Sequence, residues 1–363
     1  MLSGTPHTRN ASHDSEGTTR MAPSFRRTLA AALLLGAAGT APAAAQSQAK
    51  PAQDPPQFSI GGVAFAQFDG QLGAGTNSNF DVTRAYLNFI GKFTDGVVTR
   101  VTGDLYQDPD GSHAYRLKYA FINWTPTHSV LTYRFGLMTT PWIDWEEQLW
   151  DYRMQGPMAV DRNHYLISSD FGAGVDGNVN HEAVDFQAAV FDGTGYGAAP
   201  GDQHKGYAAR VSVRLVGTDE TSRVGGLRLT GYAQLGAPKG GGTRQRFMGM
   251  VSYRSTEAAL AVEYAVTTDS APAQTYVGNV KGDVFSAYGW YKVPSTPVGL
   301  IARVDLVNLN TGIANDRTTD IIGGLSYQLT PNIRLLADVD NLSFKAPGRP
   351  AVTQALFQTQ FTY

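Results

Sequence analysis

Alternation of apolar and polar side chains, in one segment after another, is the feature that most constrains what this chain can fold into. In "ARVSVRLVG", for example, the valines alternate with Arg210, Ser212 and Arg214. Successive side chains of a β-strand point to opposite faces, so each such segment predicts a strand with one apolar and one polar face. Gly, Asn, Asp and Pro separate the segments from Phe58 onward, which predicts turns between the strands.

The length of the segments distinguishes two kinds of β-protein. They run to about ten residues, whereas strands of soluble proteins usually have about five or six. Alternating segments of this length are typical of membrane-spanning barrels, which are apolar towards lipid and polar towards the lumen. A sheet in lipid must also close, because an open edge would leave backbone groups unpaired. We therefore predict an all-β, transmembrane, antiparallel barrel; a soluble secreted β-sandwich with a structural or interaction role is the alternative.

The number of segments supports a large barrel. Counting them predicts about sixteen strands, an even number as in bacterial single-chain barrels, and a lumen wide enough for water. Their predicted starts lie near Phe58, Asn79, Gly96, Ala114, Val130, Asp170, Ala183, Lys205, Gly226, Thr243, Glu257, Gly282, Val298, Thr318, Asn332 and Ala351. In one segment, "YRLKYAF", the alternation places Tyr119 and Phe121 on the apolar face and Arg116 and Lys118 on the polar face.

Basic residues recur on the predicted lumen face, where they would attract anions. These pore-lining candidates are Arg84, Arg100, Arg116, Lys118, Arg134, Arg210, Arg214 and Arg228. Each arginine could instead pair with an acidic residue of the wall and serve the barrel structurally. Fixed charges lower the entry barrier for ions of opposite sign, and an arginine fork can bind two oxygens of one anion.

The N-terminal region predicts export. Residues 1–20 are polar and could be an extension upstream of a true start at Met21. Residues 21–45 combine a basic part, an apolar part and a small-residue part, which is typical of a cleaved signal peptide. A membrane anchor helix is less well supported, since glycines and a proline interrupt a short apolar run. Residues 46–57 form a Pro/Gln linker, and 58–363 form the barrel. The predicted location is the bacterial outer membrane.

Composition excludes several other classes. The chain has no cysteine, so disulfides and thiolate chemistry are absent, and its formal net charge of −2 gives no indication of nucleic-acid binding. "GTGYG" at Gly193 lacks the helix that a phosphate-binding loop needs. The histidines show no metal-ligand spacing. We expect no cofactor and no metal.

One connection, residues 139–169, is much longer than the others. Such a stretch usually has a function, and we predict that it folds into the lumen as a constriction loop; an extracellular lid or a subunit contact is the alternative. Its candidate site residues are Trp142, Asp144, Trp145, Glu146, Glu147, Asp151 and Arg153. Paired carboxylates can perform acid–base chemistry, but the spacing specifies no partner, so we predict no enzymatic activity.

Several stretches in the same order resemble the phosphate-selective porins, the porin O and P family of bacterial outer membranes. They include "FDVTRAYLNFIGKF" (80–93), "YRFGLMTTPW" (133–142), "SSDFGAGVDGNV" (168–179) and "GGLSYQLTPNIRLLADV" (323–339). The resemblance implies a sixteen-stranded homotrimer that passes small anions by diffusion, with arginines along the wall and basic residues near the constriction. This chain departs from that pattern in "WIDWEEQLWDYR", which is acidic.

The function expected from these features is passive diffusion of small hydrophilic solutes, with anions such as phosphate preferred. The alternative is an outer-membrane barrel with a plugged lumen that acts as an enzyme or adhesin. The final "ALFQTQFTY" predicts a closing strand that pairs with the first strand. Its aromatic residues Phe357, Phe361 and Tyr363 would face lipid, and the terminal aromatic resembles the signal read by outer-membrane assembly machinery.

Overall fold

The computed structural model describes residues 55–72, 77–108, 111–199, 201–270 and 278–363. The predicted extension 1–20, the signal peptide 21–45 and residues 46–54 of the linker lie outside the described residues. Among those described, no helix has both the length and the hydropathy needed to cross a bilayer.

Sixteen antiparallel strands form one closed barrel, as predicted. They are β1 (Gln57–Leu72), β2 (Ser78–Lys92), β3 (Val97–Gln107), β4 (His113–Trp124), β5 (Leu131–Thr139), β6 (Ser169–Val179), β7 (Val184–Phe191), β8 (Gly206–Val216), β9 (Gly226–Gly236), β10 (Thr243–Arg254), β11 (Ala258–Ser270), β12 (Val280–Lys292), β13 (Val298–Asn308), β14 (Arg317–Thr330), β15 (Ile333–Phe344) and β16 (Val352–Thr362). Two short helices, α1 (Pro141–Glu146) and α2 (Ala159–Arg162), and the 3₁₀ turn Arg153–Gln155 lie between β5 and β6.

Closure comes from the pairing of the last strand with the first. Ala64 of β1 lies opposite Phe361 of β16, and Phe68 lies opposite Phe357. Each of the other strands pairs with its neighbours in sequence, so the sheet has no open edge. The predicted closing strand is therefore confirmed.

The two faces of the barrel differ as the alternation predicts. On the outside, Phe135 and Leu325 are 68% and 59% exposed, whereas Arg210 and Arg228 on the inside are 1% and 0% exposed. The longest described connections, 140–168 and 192–205, both follow odd-numbered strands. They leave the barrel at the same end, which in outer-membrane barrels is the extracellular end.

A bulge in β4 changes the predicted alternation. The pairing with β3 steps from Thr102 opposite Tyr119 to Gly103 opposite Leu117, which leaves Lys118 unpaired. An extra residue in one strand shifts the side chains beyond it to the other face. The prediction that Tyr119 and Phe121 lie on the apolar outer face was therefore wrong: both are at most 9% exposed and face the lumen. Lys118 stays inside with Arg116.

Candidate functional site: the lumen and its inward-folded loop

The segment between β5 and β6 folds into the barrel, as predicted. Helix α1 follows Thr140 and has Pro141 in its first turn, where the missing N–H of proline costs no helical hydrogen bond. Trp142, Trp145 and Trp150 are completely buried. A lid above the barrel, or a contact on its outer surface, would leave these rings exposed in a single chain.

Side chains of the barrel wall hold this loop by its backbone carbonyl groups. Seven wall residues each donate a hydrogen bond of 2.7–3.1 Å to a loop carbonyl. The pairs are Arg210 to Pro141, Arg246 to Tyr165, Arg254 to Gln148, Trp290 to Leu149, Arg303 to Pro157, Arg334 to Asp151, and Gln358 to Met154. A buried carbonyl without a partner would be costly, so these contacts satisfy the loop backbone where it crosses the lumen.

Ring contacts add to this attachment. Trp142 packs on Tyr232, and Trp150 meets Tyr288 edge to face, with ring centroids 5.6 and 5.7 Å apart. The guanidinium of Arg210 lies 4.0 Å from the Trp145 ring centroid, a cation–π contact. All of these wall residues belong to β8, β9 and β12, on the side of the lumen that the loop covers.

Most acidic side chains of the loop are neutralised by arginines. Asp144 pairs with Arg223 at 2.5 Å, and Asp151 pairs with Arg254 at 2.9 Å. Burial alone would raise the pKa of Asp144, but nearby guanidiniums, above all that of Arg223, hold it below its usual value. The loop is therefore much less negative than its sequence indicates.

Of the other three loop carboxylates, Asp161 lines the cavity described below, and Glu146 and Glu147 have different surroundings. Glu147 forms an ion pair with Arg153 of the same loop. Glu146 is fully buried beside Glu263 of β11, and neither carboxyl group has a well-formed hydrogen bond within the described residues. Burial, followed by the neighbouring Glu263, raises the pKa of Glu146 well above its usual value. Arg303, the cation that counteracts this effect, is already bound to Asp305 at 2.6 Å.

Half of the predicted pore-lining residues are bound to acidic or carbonyl groups of the barrel wall and its turns. Arg134 pairs with Asp176 at 3.1 Å, and Arg210 pairs with Asp185. Arg214 and Arg228 donate to carbonyl groups in the turn between β6 and β7, that of His181 for Arg214 and that of Glu182 for Arg228. For these four residues, a structural role accounts for the side chain.

The other four candidates form one group on the inner face of β2, β3 and β4. We call it the basic cluster: Arg84, Arg100, Arg116 and Lys118. Arg116 donates from Nε and Nη2 to Asp104, at 3.2 Å each, and the same carboxylate is 3.9 Å from Arg84 Nε. Among the described residues, Asp104 is the one acid with which the cluster forms ion pairs. Two of the four positive charges, those of Arg84 and Arg116, thus share one carboxylate.

Neutral partners hold the cluster in place. Lys118 Nζ and Arg84 Nη1 donate to the Tyr86 hydroxyl at 2.7 and 2.5 Å, and Arg100 donates to Asn88 at 3.0 Å. The Glu147–Arg153 pair of the loop lies near the cluster: Glu147 interacts electrostatically with Lys118, and Arg153 with Arg84. The side chains of Arg84 and Arg116 keep 22% and 26% of their surface exposed. Arg84 and Arg116 therefore border open space in the lumen, together with residues of the loop.

A cavity of about 490 Å³ opens beside the cluster at the end from which the long connections leave. Its walls come from the inner face of β2, β4, β9 and β10, from the end of the constriction loop, and from the connection between β7 and β8. Arg84, Arg116, Arg162 and Arg244 line it together with Tyr196 and Tyr232.

Sequence reasoning missed most of the arginines that hold the loop. Arg246, Arg254, Arg303 and Arg334 all face inward on the strands that follow the loop, and Arg223 lies in the connection before β9. The alternation could have placed the four strand arginines on the lumen face, as it did for Arg210. No signal in the sequence links them to loop carbonyls, because those contacts join residues up to 183 positions apart.

The predicted C-terminal residues lie at the seam of the barrel. Phe357, Phe361 and Tyr363 are 51%, 41% and 56% exposed on the outer face. Tyr363 is further fixed by its N–H, which donates to the Gly62 carbonyl at 3.1 Å, and by its hydroxyl, which donates to the Tyr86 carbonyl at 3.0 Å.

The architecture matches solved outer-membrane proteins. The anion-selective porin from Comamonas acidovorans superposes with a TM-score of 0.62 and 12% sequence identity, over 85% of this chain and 100% of its own. This chain and that porin share one fold. The trimer form of OmpT, an outer membrane protein of Vibrio cholerae, superposes with a TM-score of 0.62 and 12% identity, over 85% of this chain and 100% of its own. For the outer membrane channel DcaP of Acinetobacter baumannii, the TM-score is 0.61 and the identity 10%, over 85% of this chain and 97% of its own.

No protein-family model matches the sequence, and no curated protein resembles it significantly. The narrower resemblance to the phosphate-selective porins thus stays a prediction. In the described part of the chain, no group of three or more His, Asp or Glu side chains is arranged to hold a metal ion.

Proposed function

We propose that this protein is an outer-membrane porin through which small hydrophilic solutes diffuse passively, with a preference for anions. The observation that carries the proposal is the balance of charge in the lumen between the basic cluster and the loop. The basic cluster has four cations and one paired acid, Asp104, whereas the loop acids Asp144, Glu147 and Asp151 are each bound to an arginine. Excess fixed positive charge lowers the barrier for anions.

The departure from the phosphate-porin pattern is smaller than the sequence suggests. The acidic stretch 142–153 had placed anion preference in doubt, but each of its four carboxylates is paired with an arginine or buried. Inorganic phosphate is one candidate solute, because arginine forks bind its oxygens well. The shared fold with a porin named anion-selective supports the same direction.

We further propose export by the signal peptide 21–45, insertion by the assembly machinery through the strand that ends in Phe361 and Tyr363, and assembly as a homotrimer. Trimeric OmpT shares the fold. We propose no enzymatic activity. Glu146 and Glu263, two neighbouring carboxyl groups at the loop, are fully buried and offer a substrate no access.

Planar bilayers under a KCl gradient test the proposal. The purified protein should form open channels, and the reversal potential should have the sign of anion selectivity. Replacing Arg84 and Arg116 by Gln should move the reversal potential towards zero, whereas Arg214→Gln, which removes a cation at the turn, should leave it nearly unchanged. A cation-selective sign would exclude anion preference, and a closed barrel would favour the alternative of a plugged lumen.

A further inference from the structure

The cavity beside the basic cluster combines two kinds of surface that a simple ion does not need. Its volume of about 490 Å³ is in the range of small-molecule sites. Arginines line it, but so do the rings of Tyr165, Phe191, Tyr196 and Tyr232. Inorganic phosphate, a small and strongly hydrated ion, would leave the ring surfaces unused.

The cationic end of the cavity is held rigidly. The Arg116 guanidinium lies between two rings, 4.0 Å from the centroid of Tyr106 and 4.4 Å from that of Tyr196. It also donates to the Tyr196 hydroxyl at 2.9 Å. Its Nε and Nη2 are bound to Asp104 and Tyr196, which leaves Nη1 to donate to an anion, while the faces of the guanidinium are covered. Because Arg84 and Arg116 share Asp104, one positive charge at this end is uncompensated.

Two acids, Asp161 and Asp170, also line the cavity and would repel a second negative charge. The other two lining arginines already have acidic partners, since Arg162 pairs with Asp320 and Arg244 lies 4.0 Å from Asp269. A ligand with one carboxylate can point this group at Arg84 and Arg116 and place an uncharged body against the rings. A dianion of similar size would bring its second charge close to these acids.

We infer that this cavity is a binding site for monocarboxylates with an aromatic body, on the path of solutes through the lumen. The inference rests on the proposed porin function and names the solute class for that passage. The carboxylate pairs with Arg84 and Arg116, and the ring packs among Tyr196, Tyr232 and Phe191. Aromatic stacking has specific geometric preferences, so a planar ring fits this lining better than a saturated one.

Current block in planar bilayers tests the site with four probes of known chemistry: benzoate, cyclohexanecarboxylate, acetate and inorganic phosphate. Benzoate should reduce the KCl current at a concentration about tenfold lower than acetate does, because the free energy of one stacked ring pair corresponds to about a tenfold change in affinity. Tyr196→Ala should remove this preference. Tyr207→Ala is the same exchange on the outer face of β8, where the ring is 60% exposed. In this control, benzoate and acetate should block the current at the same concentrations as in the parent protein.

The outcomes separate this inference from the proposed function. An anion-selective channel that benzoate and acetate block equally, or that cyclohexanecarboxylate blocks as well as benzoate, would overturn the aromatic site and leave the porin function intact. A protein without conductance would overturn the porin function. Equilibrium dialysis of radiolabelled benzoate against the detergent-solubilised protein then tests the site alone, and failure to bind it more tightly than acetate would overturn the site. Unheated gel migration identifies any variant that does not fold.

Discussion

Replacing Glu146 by Gln should make the folded barrel more stable, and increasingly so as the pH rises. Glu146 is fully buried beside Glu263, and the guanidinium that acts on it, that of Arg303, is occupied by Asp305. Two carboxylates in such a place cannot both be charged. A glutamine has nearly the same shape and needs no proton.

The magnitude follows from proton linkage. Burial and Glu263 raise the pKa of Glu146 in the folded protein, whereas an unfolded glutamate titrates near pH 4.3. Between these two values the folded state binds more protons than the unfolded state. The free energy of unfolding therefore falls as the pH rises, by up to about 1.4 kcal/mol per pH unit for one group. From pH 5 to pH 7, Glu146→Gln should gain up to about 2.7 kcal/mol over the parent protein.

Urea unfolding of the barrel in lipid vesicles, followed by tryptophan fluorescence at several pH values, measures this difference. Glu257→Gln, in the exposed turn before β11, reports the effect of the same exchange at the surface. Parallel stability curves for Glu146→Gln and the parent protein between pH 5 and pH 8 would refute the proposed proton on Glu146.

Two further substitutions probe the loop and the outer surface. Trp145→Ala removes a completely buried ring from between the loop and β8. It should lower the free energy of unfolding by about 3–5 kcal/mol, seen as a lower urea midpoint, and widen the passage, seen as a higher single-channel conductance. An unchanged conductance would contradict the role of the loop as the constriction. Phe357→Arg places a charge at the middle of β16 on the outer face. It should reduce the folding free energy in a bilayer by about 2–4 kcal/mol, measured by folding into vesicles. A change near zero would argue that this face does not contact lipid.

Much of the fold could be predicted from the sequence, because the alternation is local. Each predicted strand start lies within two residues of an observed one, and the unusual length of 139–169 pointed to the inward loop. The bulge at Lys118 could not be predicted, since an unpaired residue leaves no mark in composition. It moved Tyr119 and Phe121 from the expected outer face to the lumen.

The site was harder to predict than the fold because charge balance depends on distant pairs. Arg84 and Arg210 look equivalent in the sequence, as lumen arginines in alternating strands. In the structure, Arg210 is bound to Asp185 and to the Pro141 carbonyl, whereas Arg84 shares Asp104 with Arg116. The loop carboxylates were equally misleading, since the partners of Asp144 and Asp151 lie 79 and 103 positions away.

The hydrogen bonds from the wall to the loop carbonyls have a consequence for the electrical recording itself. A loop fixed at successive points from Pro141 to Tyr165, by donors on β8 to β16, has little freedom to swing across the aperture. Its thermal motion should modulate the current weakly. The open level of a single channel should therefore be quiet, and weakening one attachment, as in Arg334→Gln, should appear first as excess open-channel noise and only secondarily as a change in mean conductance.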